Sequence, residues 1–357
     1  MERILLLGAG KIGAAVTEFL AGSGDYRVTV ADRDPEALQA VARDGVAKEA
    51  ADVTRPSVLA GLLDGHDAVI SALPFCCNVE VARAARRAGV HYFDLTEDVE
   101  TTRQVRRVAE GAERVFMPQC GLAPGFVSVV AYDLAQQFDS LRAVRMRVGA
   151  LPQYPTNRLN YNLTWSTDGL INEYCNPCEA IHEGRRIEVL PLQGIEHFSL
   201  DGITYEAFNT SGGLGTLCET LEGQVDELNY KTVRYPGHCE NMKLLCIDLR
   251  LGARRELFKD VLETAIPMTL QDVVLVFVTV TGMQRGRLTQ QSYAHKTYSR
   301  PLGGTLWSAI QLTTAAGVCA MVDLLREGVL PEKGFVRQED VSLEAFLANR
   351  FGRVYAE

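Results

Sequence analysis

Positive charge is in short supply in this sequence. It has 36 lysines and arginines against 45 aspartates and glutamates, for a net charge of −9. So acidic a chain is not expected to take nucleic acid or an anionic membrane as its main partner. Long apolar runs are also scarce. None is expected to reach the ~20 residues of a membrane-crossing helix. Met1-Glu2-Arg3 leads straight into a strand, with no secretory leader expected. A disulfide framework is lacking too. The nine cysteines are odd in number and scattered, as for reduced thiols in a cytoplasmic protein. What is present, 47% hydrophobic and 23% charged residues over 357 positions, suits a globular enzyme. That is more chain than one core usually serves, so two domains are expected.

The chain opens on an apolar run, Ile4 to Leu7, that meets Gly8, Gly10 and Gly13. An amphipathic helix then begins at Lys11-Ile12, with Ala15, Val16, Phe19 and Leu20 at helical spacing. A second strand, YRVTVAD, ends on Asp32, nineteen residues past Gly13. This order of strand, glycines, helix and acidic residue is the dinucleotide fingerprint. Gly8 gives the tight turn, Gly10 lets the backbone approach a pyrophosphate, and Gly13 lets helix pack on strand. Asp32 is expected to accept ribose hydroxyls, which favours NAD. Arg33 beside it leaves NADP possible, since an arginine there can bind a 2′-phosphate or stack on adenine.

Strand and helix keep alternating through VHYFDLT to ERVFMPQCG, six strands in all. That rhythm predicts an α/β doubly wound parallel sheet, with ligands beyond the carboxyl ends of its strands. The groups at those ends are Asp52, Ser71, Ala72, Leu73, Pro74, Asp94, Glu97 and Cys120. Asp52 reads equally as an adenine contact or a helix N-cap. The Ala72-Leu73-Pro74 turn is expected under the nicotinamide. The rhythm stops near Pro124-Gly125. The expected division is 1–123 for dinucleotide binding, 124–300 for an inserted α+β domain with an antiparallel sheet, and 301–357 for a helical return. Alternating stretches such as DVVLVFVTVTG and GRLTQQSYAHKTY carry the sheet. A long helix from Thr305 is expected to pack back on the first domain. Substrate is expected between the domains.

Several inserted-domain motifs carry chemistry. Trp165-Ser166-Thr167-Asp168 precedes a helix, which Thr167 or Asp168 could simply cap. Thr210 and Ser211 lead a glycine-rich turn without the GK[ST] of a phosphate loop, so their hydroxyls suit a carboxylate better. Arg234 ends a strand beside Tyr235-Pro236-Gly237-His238, placed to fork a carboxylate or, more plainly, to lie on the surface. Cys175, Cys178 and His182 have no second ligand pair nearby in sequence, so no metal is expected.

GAGKIG with Asp32, CGLAPG at 120–125, NYNLTWSTDGLINEY, AFNTSGGLGTL and TVRYPGH resemble the saccharopine dehydrogenase superfamily over nearly the whole length. Within it the chain is most similar to the lysine 6-dehydrogenases. The resemblance implies a Rossmann domain, an inserted sheet domain that binds substrate and dimerises, and a C-terminal return. It implies NAD-dependent oxidation of the lysine ε-amine to allysine, which cyclises, with release of ammonia. A lysine amine, ordinarily protonated to a pKa of ~10.4, must first lose a proton. Water must then attack the iminium. Asp94, Glu97 and His238 are the candidates for those steps. Arg234, Thr210 and Ser211 would hold the α-carboxylate, and Trp165 would line the aliphatic stem. Two alternatives remain: NADPH-dependent reductive condensation, as in saccharopine reductases and carboxynorspermidine dehydrogenases, and a non-catalytic dinucleotide sensor.

Overall fold

The computed structural model describes residues 2–356. Met1 and Glu357, at the outer ends of the expected first and last segments, lie outside the described residues. Two compact units divide the chain. One holds the chain up to Phe126, Pro301–Thr305 and Gln311 onward; the other holds Val127–Arg300 and Leu306–Ile310.

The first unit is built on a seven-stranded sheet in the order Gly334–Phe335, Val115–Met117, His91–Asp94, Ala68–Ser71, Glu2–Leu7, Tyr26–Asp32, Ala47–Ala50. Every neighbouring pair is parallel. A parallel sheet is covered on both faces, so its strands read as continuous apolar runs. Ile4 to Leu7 and Val69-Ile70 are fully buried accordingly. Strand order reverses between Glu2–Leu7 and Ala68–Ser71, the switch point of a Rossmann sheet. The edge strand Gly334–Phe335 comes from the C-terminal segment. At two residues it is too short to announce itself by periodicity.

Cys120–Gly125 closes this unit under the C-terminal helix. A Cβ on Gly317 would lie 2.6 Å from the Cys120 carbonyl oxygen, so only glycine lets helix and loop touch there. Phe126 stacks on Tyr355 at 3.9 Å between ring centroids. Asp323, its side chain fully buried, gathers Tyr26 Oη at 2.5 Å, Asn349 Nδ2 at 2.9 Å and Arg350 Nη2 at 2.8 Å.

The second unit carries an eight-stranded sheet. Its main path runs Glu196–Leu200, Ile203–Asn209, Val225–Arg234, Ser140–Pro152, Asp272–Gln284, Arg287–Tyr298. The hairpin Cys178–His182/Arg185–Val189 joins the third of these. The sheet is mixed, not antiparallel throughout as expected. Val225–Arg234 and Ser140–Pro152 run parallel, because the chain between them is long enough to return in the same direction. Arg285-Gly286, at φ 51° and 74°, makes the two-residue turn of the long hairpin. Helices Thr167–Cys175, His238–Lys243 and Arg255–Ala265 supply Leu170, Tyr174, Met242 and Phe258 to a core that also buries Tyr161 and Phe208.

The long helix begins at Ala309, four residues later than expected. Thr305–Trp307 instead pairs back on Arg300–Leu302 across Gly303-Gly304. Asp272 sets the helix start, accepting from Ala309 N at 2.5 Å and Ile310 N at 3.1 Å. Contrary to the reading of apolar runs, Ala309–Arg326 has the length and hydropathy of a membrane span, but 83% of it is buried inside the protein, as in a core helix.

Candidate functional site

In the first unit the glycines divide their work as the fingerprint requires. Gly8 has φ 102°, and a Cβ there would sit 2.8 Å from the Ala72 carbonyl oxygen. A Cβ on Gly13 would overlap the Gly8 carbonyl oxygen at 1.9 Å. Gly10, exposed, has nothing within 4 Å of its Cβ position, so the open side of the loop lies there. No side chain caps the helix Lys11–Ser23, whose first turn, with exposed Lys11 and half-buried Ile12, faces outward. An uncapped helix start beside an open glycine fits a pyrophosphate.

Asp32 is half-buried, and both its oxygens are engaged. Oδ2 accepts from Ala9 N at 2.7 Å and Oδ1 from Asp34 N at 2.9 Å. The carboxylate therefore ties the second strand to the glycine loop. Each oxygen keeps a lone pair for a ribose hydroxyl. Arg33 is exposed. Asp52 is not a helix N-cap: Arg55 occupies that position, and Asp52 closes a local turn on Thr54 N at 3.1 Å and Thr54 Oγ1 at 2.6 Å. Those bonds hold its carboxyl below the usual range. Ser71 is buried and donates to Asn78 Oδ1 at 2.7 Å, Ala72 N bonds the Leu7 carbonyl at 2.8 Å, and Pro74 precedes the helix Phe75–Ala88. Half-buried Leu73 lies between them. This turn is a shelf of the switch point, set directly against Gly8.

Asp94 does not stand open as a base. It is fully buried and accepts from Tyr92 Oη at 2.6 Å, Thr96 N at 2.9 Å and Gln119 N at 2.9 Å. Burial pushes its carboxyl up to about 6 despite those donors. Its chemistry is to hold the strand end to the Gln119-Cys120 loop. Glu97 is half-buried, one residue before the helix cap Asp98. Cys120 is fully buried, and burial raises its thiol well above the usual range, which agrees with a packing role.

The second unit brings a different set together. Arg234 ends the strand Val225–Arg234 and is 2% exposed, so it is no surface arginine. Its Nε donates to Tyr174 Oη at 3.0 Å and its Nη1 to the Val233 carbonyl at 2.9 Å. The guanidinium carbon lies 4.9 Å from the centre of the Tyr161 ring. Among the described residues no carboxylate forms an ion pair with it.

His238 is fully buried and cannot serve as the free base expected of it. Nδ1 is 2.7 Å from the Leu159 carbonyl, which only accepts, so Nδ1 carries the proton. Nε2 is 3.0 Å from Tyr174 Oη. Burial, with Arg234 nearby, depresses the imidazole to about 3, so it is neutral and Nε2 accepts from the tyrosine. The chain of bonds runs from Arg234 to Tyr174 to His238 to Leu159, each group satisfied by the next.

Glu206, 1% exposed, fixes the turn between strand and helix by accepting from Gly237 N at 2.7 Å and Cys239 N at 2.6 Å. Thr210 and Ser211 are also occupied. Thr210 Oγ1 meets Thr232 Oγ1 at 2.7 Å; Ser211 N and Oγ reach the Glu173 and Asn172 carbonyls at 3.0 and 3.3 Å. Ser211 latches the helix that carries Tyr174, and Thr210 ties to the strand Val225–Arg234. Trp165 is half-buried, its ring where a Cβ on Gly169 would be, at 2.3 Å. The helix is capped by Ser166, which accepts from Gly169 N at 3.2 Å, not by Thr167 or Asp168. Asp168 instead pairs with Lys259 at 2.6 Å. Cys175, Cys178 and His182 do not converge: Cys175 lies against Cys246, Cys178 is buried near the Asn176 carbonyl, and His182 is exposed.

Sequence reasoning missed Tyr174, Glu206 and the buried polar atoms of segment 161–164. Asn162 Oδ1 is buried without a hydrogen-bond partner among the described residues, and buried Tyr161 Oη has only Thr164 and Trp165 near it. Native interiors rarely leave such atoms unmet. The signal lay in NYNLTW, where polar residues fall within a segment that is otherwise core. Glu206 was a lone acid in the apolar strand ITYEAFN.

Residues 4–117 match the saccharopine dehydrogenase NADP binding domain, and residues 121–351 match the saccharopine dehydrogenase C-terminal domain. Saccharopine dehydrogenase [NADP(+), L-glutamate-forming] of Saccharomyces cerevisiae is 27% identical over 258 residues, covering 68% of this chain and 57% of that protein. The mitochondrial alpha-aminoadipic semialdehyde synthase of Rattus norvegicus is 22% identical over 202 residues, covering 53% of this chain and 21% of that protein. The chain thus spans little more than half the length of the first of these relatives, and less of the second. A solved apo structure of the Saccharomyces cerevisiae saccharopine dehydrogenase (L-Glu forming) superposes with a TM-score of 0.79 at 19% identity, covering 97% of this chain and 95% of that one. The first unit is accordingly an NAD(P)-binding domain, and the chain belongs to the saccharopine dehydrogenase family.

Proposed function

We propose that the protein is an amino-acid oxidoreductase that takes the ε-amine of L-lysine to allysine with NAD, releasing ammonia. One observation carries this reading: Arg234 is a buried, fixed guanidinium that makes no ion pair among the described residues, with only the field of Glu173 to offset its charge. A buried cation without a directly paired counter-charge is costly unless a ligand supplies one. The α-carboxylate of an amino acid does so, through the guanidinium nitrogens not used on Tyr174.

The dinucleotide, when bound, takes the hydride. The chain's residues supply binding and proton handling. Gly8, Gly10 and the uncapped helix start would hold the pyrophosphate. Asp32, with its remaining lone pairs, would accept the ribose hydroxyls and put negative charge there, which favours NAD. Glu97, half-buried just past the end of the strand His91–Asp94, is the base in this reading. It would take the proton of the lysine ammonium and later one from water. Trp165 covers the aliphatic stem. We further propose a homodimer formed through the second unit, working in the cytoplasm.

A second reading is favoured by the names of the relatives: reductive condensation of an amine with an aldehyde acid, using NADPH. Absorbance at 340 nm with a panel of amines and both cofactors separates the two. NADH production with lysine alone supports the first. Loss of NADPH that requires both an amine and a carbonyl partner overturns it. A dinucleotide sensor would show neither.

A further inference from the structure

Helix Thr167–Cys175 ends on a half-buried thiol that the chemistry above does not use. Its sulfur lies against the turn that follows the helix His238–Lys243. The Cβ position of Gly252 is 3.2 Å from Cys175 Sγ and 3.1 Å from the Cys246 carbonyl oxygen. Cys246 sits in the π-turn Leu244–Asp248, buried, its thiol facing the Cys175 sulfur. A third residue completes the arrangement. Arg255 is anchored on both sides of Cys175, with Nη1 on Asn172 Oδ1 at 3.1 Å and Nη2 on Asn176 Oδ1 at 2.6 Å.

We propose that Cys175 and Cys246 form a peroxide-responsive dithiol, with Cys175 the attacking and Cys246 the resolving thiol. The facing Cys246 thiol, aided by Arg255 and opposed by burial, brings the Cys175 thiol down to about 7, while burial raises those of Cys178, Cys218 and Cys239. A reactive cysteine is a thiolate that solvent can reach. Cys175 is half-buried and its thiol is shifted towards the thiolate.

The step balances with a peroxide as two-electron oxidant. The Cys175 thiolate attacks one peroxide oxygen; the S–O bond forms and the O–O bond breaks. The leaving oxygen takes up a proton and departs as water or an alcohol. Sulfenic acid at Cys175 removes the negative charge that, with burial, holds the Cys246 proton in place. Cys246 sulfur then attacks Cys175 sulfur. The S–S bond forms, the S–O bond breaks, and the hydroxyl leaves as water with the Cys246 proton. The disulfide staples the helix carrying Tyr174 to the turn after the helix carrying His238.

The test uses the full, reduced chain and hydrogen peroxide. After quenching with N-ethylmaleimide and digestion, mass spectrometry should find a 175–246 linked peptide that dithiothreitol removes. In Cys246→Ser, Cys175 should be trapped by dimedone as sulfenic acid. At pH 7, iodoacetamide should label Cys175 roughly tenfold faster than a thiol of ordinary pKa, and Arg255→Gln should slow that labelling severalfold. Hydrogen exchange of 167–175 and 238–249 should slow in the linked form. Absence of both the linked peptide and the dimedone adduct overturns the dithiol. A linked form with unchanged exchange overturns the staple.

Discussion

The hydroxyl of Tyr174 lies 3.0 Å from Arg234 Nε and 3.0 Å from His238 Nε2 and bridges them. A hydroxyl has one proton to give. His238, already donating through Nδ1 to Leu159, takes it, and the tyrosine oxygen is left to receive Arg234. The order of donors fixes the direction in which the guanidinium points.

Tyr174→Phe should therefore act on two residues at once. Arg234 Nε and His238 Nε2 both lose their partner inside the core. Leaving buried polar groups unmet costs on the order of 1–3 kcal/mol. The urea midpoint should fall accordingly, and KM for lysine should rise more than kcat falls. A variant with parental stability and KM would show that the hydroxyl holds nothing.

Arg234→Met tests the carboxylate reading more directly. A charge-assisted pair contributes on the order of 1.5–3 kcal/mol, so kcat/KM for lysine should drop roughly 10- to 150-fold. Cadaverine lacks the carboxylate, and its weak turnover should hardly change. Equal proportional losses for both amines would make Arg234 structural.

Asp32→Ala removes a loop tie as well as a ribose partner. Affinity for NADH and NADPH should both weaken, NADH by more, so that the gap narrows. Losing one charge-assisted backbone bond at ~1.5–3 kcal/mol sets the scale at roughly tenfold or more. Fluorescence titration reads both constants. Unchanged NADH binding would leave the Ala9 contact without a role in the site.

Two buried groups give the stability profile opposing slopes. His238 is depressed from 6.5 to about 3, so it favours the folded state above pH 6.5 and loses that contribution as pH falls towards 3. Asp94 is raised from 3.8 to about 6, so its contribution is full below pH 3.8 and is lost as pH rises through 6. Asp94→Asn removes the second term. Between pH 6 and pH 4 the unfolding free energy of the variant should then fall more steeply than that of the parent. Profiles of identical shape would refute it.

The nucleotide half of the molecule was legible because its demands are local. A tight turn needs Gly8, a close helix needs Gly13, and buried strands need unbroken apolar runs. The polar cluster was legible only in part. Arg234 and His238 announced themselves as unusual residues beside Pro236-Gly237. What each does depends on Tyr174, sixty or more positions away, and on Glu206 across the strand ladder. No periodicity encodes a hydroxyl that arrives from a separate helix. Thr210 and Ser211 misled for the same reason. Their hydroxyls looked free because the carbonyls that receive Ser211 lie on Asn172 and Glu173.

The C-terminal segment lays its strand Gly334–Phe335 against Val115–Met117 and its Tyr355 against Phe126. A nascent chain emerging from a ribosome thus presents all six earlier strands with one edge unpaired and the Cys120–Gly125 loop uncovered. The second unit, contiguous but for Leu306–Ile310, is complete before that edge is sealed. During synthesis the order of maturation is expected to run against the order of the sequence, the nucleotide-binding half closing last.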